Sequence, residues 1–198
     1  MKKLLLVSIV LSSFMLNSCD ILDQAQQALA FTKCEFRLGT LTNTQLAGVN
    51  IHNMNSYRDL NAMDIARVGA AYATGSLPLS FTLNVDIKNP NAKAASMSKL
   101  DWILLIDGVE RLTGVTEDRI SVPANGGTAT MPMNLKFDLM KVVEAKNLES
   151  LANFAMNLAG VGNRPSRVTL KAKPTVYVGT NAISYPNYIT IENEFSSN

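Results

Sequence analysis

The chain has 198 residues, of which 47% are apolar and 17% charged, a composition that excludes an unstructured chain. It carries 18 basic and 16 acidic residues, and without the two lysines at positions 2 and 3 the balance is 16 against 16, so nothing favours binding to nucleic acid. With one histidine and two cysteines, the sequence has no cluster of metal-ligand spacing, no phosphate-binding glycine loop and no nucleophile elbow. We therefore expect a folded protein that is not an enzyme and needs neither cofactor nor metal.

The first 20 residues have the pattern of a bacterial lipoprotein signal. Two lysines precede an apolar run over residues 4–16, which is too short for a spanning helix. Leu-Asn-Ser-Cys follows at residues 16–19 and resembles a lipobox, a signal in which the cysteine is acylated and becomes the new N-terminus. We predict a signal peptide over 1–18 and a lipid on Cys19 that holds the chain at a membrane of the cell envelope, facing the periplasm or at the outer membrane. The alternative is an ordinary cleaved signal with an unrelated cysteine.

The mature chain divides into a short tether and one domain. Residues 19–33 are polar with helical tendencies and are predicted to be the lipid-anchored tether, and residues 34–198 are predicted to form a single domain. If Cys19 carries lipid, Cys34 has no intramolecular partner. Its place at the start of a strand favours a small buried side chain over a reactive thiol.

The first elements of the domain are a strand and a helix. Residues 36–51 are strand-like and residues 52–59 form a loop. Asn61 is a good N-cap, and the helical spacing of apolar residues after it predicts a helix over 62–73, ended by Gly75.

A half-buried strand follows that helix. Apolar and polar residues alternate without exception over 80–87, which is the period of a strand with one buried face. Asn89, Pro90 and Asn91 then end it in a turn, because proline lacks an N–H and asparagine side chains bond their own backbone.

The middle of the chain predicts a β-hairpin. Residues 100–106 alternate, with Trp102 on the inner face as a core anchor. Asp107 and Gly108 form a typical hairpin turn before a strand over 109–115.

The remaining elements are further strands and one helical region. Residues 130–137 alternate again, and Pro132 on their polar face indicates an edge or a bulge. Asp138 is predicted to cap the helical region. The other predicted elements are short strands over 119–122, 167–173, 175–178 and 188–195 and helical segments over 139–145 and 148–159. About seven strands with one or two added helices predict a mainly β protein, an antiparallel β-sandwich.

One ordered set of motifs resembles a known family. The set consists of Asn89-Pro90-Asn91, the strand Leu100 to Gly108 with Trp102, Asp107 and Gly108, then Gly114, then Ile120 to Phe137. It resembles the second subgroup of late embryogenesis abundant proteins, also called the water-stress and hypersensitive-response domain. The resemblance implies an immunoglobulin-like or fibronectin III-like sandwich with an added helix and a desiccation-related role. It implies no catalytic residue, so these motif residues are expected to be structural.

Three functions are compatible with these features. The first is a non-enzymatic, membrane-anchored envelope lipoprotein that protects or stabilises envelope components under water stress. The second is a protein-binding or scaffold module with an envelope protein as partner, which would use the loop 52–59 or the turns at Asp107-Gly108 and Asn125-Gly126. The third, less favoured, is a carrier of lipid or a small ligand with a cavity under the helix 148–158.

Overall fold

The computed structural model describes residues 22–52, 54, 59–144, 147–160, 166–178 and 180–195, and in it two antiparallel sheets pack face to face. The strands are β1 (Glu35–Leu46), β2 (Val49–Asn50), β3 (Pro78–Asn89), β4 (Ala95–Met97), β5 (Lys99–Ile106), β6 (Val109–Thr116), β7 (Ile120–Val122), β8 (Gly127–Asp138), β9 (Ser166–Val178), β10 (Asn181–Ser184) and β11 (Ile189–Phe195). The helices are α1 (22–31), α2 (Ala62–Ala73), α3 (Leu139–Val142) and α4 (Leu148–Leu158). None of these described helices has the length and hydropathy required to span a membrane.

The first sheet has the strand order β2-β1-β3-β8. Strands β3 and β8 pair along their whole lengths, from Pro78 opposite Asp138 to Asn89 opposite Gly127. The strand predicted over 80–87 is therefore confirmed and is two residues longer at each end. Strand β8 lies at the edge of this sheet, as its proline predicted, because a residue without an N–H is tolerated where no neighbouring strand requires that donor.

The second sheet has the order β10-β9-β5-β6, and β11 also pairs with β9. The long strand β9 serves both partners: its first part pairs with β11 and its last part with β10. Strands β5 and β6 are joined at Asp107 and Gly108, whose φ angles of 53° and 78° match a type I′ turn. This hairpin was predicted from the same two residues. The short strands β4 and β7 form a separate pair.

The core lies between the two sheets. Alternate residues of the first sheet meet alternate residues of the second, and the following are at most 1% exposed: Leu83, Val85, Ile87, Leu104, Ile106 and Leu170. Each such side chain contributes roughly 1.5–3 kcal/mol on burial. The predicted mainly β, antiparallel sandwich is thereby confirmed.

Two parts of the chain differ in detail from the prediction. The stretch 36–51 is a hairpin and not one strand, since Ala47 and Gly48 have φ angles of 49° and 77° and reverse the chain. The helical region after β8 is two helices, α3 and α4, the second capped by Asn147 through a hydrogen bond to the backbone N–H of Ser150 (2.8 Å). Within the described residues there are eleven strands where about seven were predicted, because short strands such as β2 and β10 pair beside the long ones.

Helix α2 has the predicted bounds. The side chain of Asn61 accepts a hydrogen bond from the backbone N–H of Asp64 at 2.9 Å and so caps the first turn. Val68 is buried against the domain, whereas Met63 is 71% exposed. This helix packs near β2, at the end of the sandwich where β3 begins.

Asp138 connects the start of α3 with the start of β3 at this same end of the sandwich. Its Oδ1 accepts hydrogen bonds from the backbone N–H of Met140 (3.0 Å), which caps α3 as predicted, and from that of Leu77 (2.9 Å), just before β3. Burial acts to raise the pKa of this carboxyl. The two hydrogen bonds above, a third hydrogen bond from the Ser76 side chain and the positive charge of Lys141 act in the opposite direction, and the pKa is lowered overall.

We expect the Asp138→Asn variant to have a flatter dependence of stability on pH. A carboxyl whose pKa is lower in the folded chain stabilises the fold above its ordinary pKa of 3.8, and this stability is lost as the pH falls through the lower folded value. Urea unfolding of both proteins from pH 6 down to acid should therefore show the wild-type midpoint approaching that of the variant. Parallel midpoints over the whole range would contradict the assignment.

Candidate functional site

Asn89 is a buried hydrogen-bonding centre at the far end of β3. Its Nδ2 donates to the backbone carbonyls of Lys93 (2.8 Å), Val122 (3.2 Å) and Pro123 (3.1 Å). Its Oδ1 accepts from the backbone N–H and the Nδ2 of Asn91, at 3.1 and 2.7 Å. The side chain is fully buried, and both ends of its amide are satisfied, as a buried polar group requires. It holds the connection after β3 against the end of β7.

Asn91 extends this centre to helix α1. Its Nδ2 also donates to the backbone carbonyl of Ala30 at 2.9 Å, and its own carbonyl accepts from the N–H of Asn125 at 2.8 Å. The carbonyl of Asn89 accepts from the N–H of Gly126 at 2.7 Å. The two asparagines of the motif thus connect the last turn of α1, the end of β3 and the turn between β7 and β8.

Helix α1 is packed on the sandwich by its C-terminal end. Ala30 and Phe31 are buried in the core, and the Phe31 ring meets the Phe36 ring edge to face with centroids 5.4 Å apart. Earlier in the helix, Gln27 accepts a hydrogen bond from Ser96 Oγ (3.1 Å). The described part of the predicted tether contains a helix attached to the domain, and the apolar spacing within 20–30 was the signal for the helix.

Cys34 follows α1 and is buried, as predicted. Its Sγ lies 3.5 Å from the carbonyl oxygen of Ala30, to which the thiol donates. Burial raises the pKa of the thiol to about 11, so the thiolate needed for reaction is scarce near neutral pH. The residue packs beside α1 and has no chemical role in the geometry.

Trp102 and Gly114 lie opposite each other on β5 and β6. The indole crosses the glycine so closely that a Cβ at position 114 would be 2.3 Å from Cζ2 of the ring. Its Nε1 donates to Thr116 Oγ1 at 3.2 Å. Trp102 was predicted as a core anchor; the structure places it half-buried at the rim of the core, where its polar nitrogen finds a partner near solvent.

Asp107 and Gly108 hold the β5–β6 turn against β9. The Oδ1 of Asp107 accepts from the backbone N–H of Arg167 (2.9 Å), and the N–H of Asp107 donates to the Arg167 carbonyl (2.8 Å). The family motif residues therefore make contacts that fix loops and turns, and none of them forms a reactive group.

An apolar groove runs between α1 and the strands β9 and β10. Its volume is about 390 Å³, and its floor is formed by Phe31, Pro174 and Val176. Leu29 and Ile183 stand at its opposite sides, 64% and 52% exposed. Among the described residues that line it, none has an acidic or basic side chain. Sequence reasoning missed this groove because its walls come from segments about 150 residues apart.

Several predicted features lie wholly or partly outside the described residues. Cys19 and the signal lie outside the described residues, as do residues 53 and 55–58 of the loop 52–59. Within the described part of the chain, no group of three or more histidine, cysteine, aspartate or glutamate side chains could hold a metal ion.

Comparisons with known proteins give weak structural similarity. No family model and no curated protein matches the chain. Among solved structures, a protein from Archaeoglobus fulgidus has 14% identity and a TM-score of 0.36 and covers 61% of this chain and 86% of its own. AT1g01470 from Arabidopsis thaliana has 13% identity and a TM-score of 0.39, covering 60% of this chain and 70% of its own. At2g46140.1, described as a candidate late embryogenesis abundant protein, has 13% identity and a TM-score of 0.39. It covers 96% of this chain and 89% of its own. At these TM-scores the fold assignment depends on the strands and registers above.

Proposed function

We propose that the chain is a non-enzymatic, lipid-anchored envelope protein of the water-stress type, which protects or stabilises envelope components at the membrane surface. The observation that carries this proposal is the attachment of α1 to the sandwich. The described part of the helix starts at residue 22, three positions after Cys19, and is held to the domain through Ala30, Phe31 and Asn91. A lipid on Cys19 would thus hold a folded domain close to the membrane.

The motif residues support a stabilising role over a catalytic one. Their side chains are used in hydrogen bonds to the backbone, as at Asn89 and Asp107, or in packing, as at Trp102. The resemblance to the second late embryogenesis abundant subgroup rests on these same residues.

The anchor is tested by metabolic labelling with a palmitate analogue. We expect the wild-type chain to incorporate the label and Cys19→Ala to incorporate none, because the thiol of Cys19 is the proposed acceptor. Cys34→Ala is the matched control and should label like wild type, since that thiol is buried. Persistent labelling of Cys19→Ala would remove the anchor from the proposal.

The protective activity is tested by drying. The chain from Asp20 onward, without lipid, is dried with a labile enzyme or with liposomes beside an equal mass of albumin. We expect recovery of enzyme activity or retention of liposome contents to exceed that with albumin. Equal recovery would contradict the stress-protection function and favour the scaffold alternative, for which crosslinking in cells should then capture one specific envelope partner.

The interior argues against a carrier. A cavity between the two sheets, lined by Val85, Met131 and Leu170 among others, measures about 10 Å³, which is room for one water molecule at most. Leu151, Ala155 and Leu158 of α4 are fully buried and leave the predicted space under that helix filled. Three spaces of ligand size, roughly 300 Å³ or more, are lined by described residues, and each is a groove open to solvent.

A further inference from the structure

The two ends of the sandwich differ in what they expose. Helix α1 packs beside the end of β3, near Asn89, whereas α2 precedes the start of β3, near Pro78. A strand of 12 residues separates these ends by about 40 Å. Only the α1 end lies next to the proposed lipid on Cys19.

The α1 end carries a continuous apolar surface. Leu22, Ala25 and Leu29 lie on one face of the helix, because their spacing is that of successive helical turns. Leu22 is 61% exposed, like Leu29, and the stripe leads into the groove. On the other side of the groove stand Ile183 and Tyr185. We refer to the stripe together with the groove residues as the α1 face.

We propose that the α1 face rests in the interfacial layer of the membrane that holds the lipid on Cys19, so that the domain has a fixed orientation with α2, α3 and α4 directed away from the membrane. This inference rests on the proposed anchor. The occupant of the groove is the lipid surface itself, with its headgroup and upper acyl region.

The distance between anchor and surface supports this occupant. Two residues, Asp20 and Ile21, lie between Cys19 and Leu22, and the three steps from Cα to Cα span at most about 10 Å even when extended. Because α1 is fixed to the core through Phe31 and Ala30, this short connection cannot hold the domain far from the lipid.

The chemistry of the face also suits a lipid surface. The described residues that line the groove carry no charge, so immersing them desolvates no ionised side chain. Tyrosine is enriched at membrane interfaces, where its ring meets the acyl region and its hydroxyl meets water. Amphipathic surfaces of this kind enter the interface by about 5–10 Å. The polar groove at Arg37 and Asp86, by contrast, is lined by charged residues and belongs to the outer face of the first sheet.

The test uses the full-length lipoprotein reconstituted in phosphatidylethanolamine and phosphatidylglycerol vesicles. Single cysteines are introduced by Leu29→Cys, Ile183→Cys or Met63→Cys and labelled with an environment-sensitive fluorophore, since the native Cys34 is buried. Vesicles that contain nitroxide-labelled lipids should quench the first two labels at least twofold more than the label at position 63. Adding Leu29→Glu to the Ile183→Cys chain should reduce this quenching to the level at position 63, whereas adding Met63→Glu should not.

Other outcomes overturn the inference. Equal quenching at the three positions in vesicle-bound chains would show that the domain has no fixed orientation. That result would contradict the inference without contradicting the proposed lipid anchor. A spectral change at positions 29 and 183 without vesicles, rising with protein concentration, would show a second copy on the face.

A separate arm distinguishes failure of the anchor from failure of the inference. The chain from residue 20 onward, with an N-terminal hexahistidine segment, is held on vesicles by nickel-chelating lipid. Preferential quenching at positions 29 and 183 in this arm would support membrane contact by the α1 face even if Cys19 carried no lipid. If quenching in this arm is not stronger at these positions than at position 63, the inference is overturned.

Discussion

Replacing Asn89 by alanine is expected to lower the free energy of unfolding by about 3–4 kcal/mol, because each buried polar group left without a partner costs about 1–3 kcal/mol. The change leaves the carbonyls of Lys93, Val122 and Pro123 without their shared donor and removes the acceptor of Asn91. Since domains of this size are stable by only about 5–15 kcal/mol, the loss is a large part of the total. Urea unfolding followed by circular dichroism measures it.

A matched control for this variant lies on the same strand. Asn84→Ala removes one hydrogen bond of 3.4 Å to the carbonyl of Thr40 at a solvent-exposed site, and we expect a change within about 0.5 kcal/mol. Asn89→Asp should be at least as destabilising as Asn89→Ala, because a carboxylate would face carbonyl oxygens and donate nothing. Equal stabilities of the variants at positions 84 and 89 would show that Asn89 does not hold the loops together.

Replacing Gly114 by alanine should cost about 2–3 kcal/mol, the upper range for overpacking a closely packed site. The added Cβ would lie 2.3 Å from the Trp102 ring, and no side chain with flexible ends is there to yield. The indole must move outward and lose its hydrogen bond to Thr116. Because Trp102 is the chain's one tryptophan, its fluorescence reports this movement directly as a shift to longer wavelength.

The control for the glycine variant is Gly69→Ala in α2. Apart from the chain neighbours and the helix's own backbone, no atom of the described residues lies within 4 Å of a Cβ at that position, and alanine is favoured over glycine in a helix by about 1 kcal/mol. We expect this variant to be slightly more stable, with unchanged tryptophan emission. In a Trp102→Leu background, Gly114→Ala should lower the free energy of unfolding by less than half of what it costs in the wild-type background. A cost that stays the same there would mean that the backbone at position 114, and not the ring, requires glycine.

Sequence patterns of a few residues predicted the helix, strand and turn whose conformation depends on neighbouring residues. Helix α2 begins at its cap, Asn61, and the alternation within β3 gave its buried face, because cap chemistry and strand period act over a few residues. The turn at Asp107 and Gly108 was predictable for the same reason. The turn at Ala47 and Gly48 was missed since alanine rarely adopts a positive φ.

The candidate surface depended on contacts distant in sequence. Asn91 and Ala30 are 61 residues apart, and nothing local to either predicts their hydrogen bond. The groove likewise needs Leu29 beside Ile183, which only the packing of α1 on the second sheet provides. A helical tether could be predicted from its apolar spacing, whereas its attachment to the domain could not.

Pro132 has a consequence for neighbouring copies of this domain on one membrane, if the proposed lipid on Cys19 holds them there. Lipid anchoring confines proteins to two dimensions and raises their effective concentration, which favours joining of exposed sheet edges. Strand β8 is such an edge, but at Pro132, opposite Asn84, its open side lacks the N–H that a neighbouring strand would need. Lateral crowding should therefore leave these domains unjoined at the β8 edge, so that no continuous sheet grows through this strand.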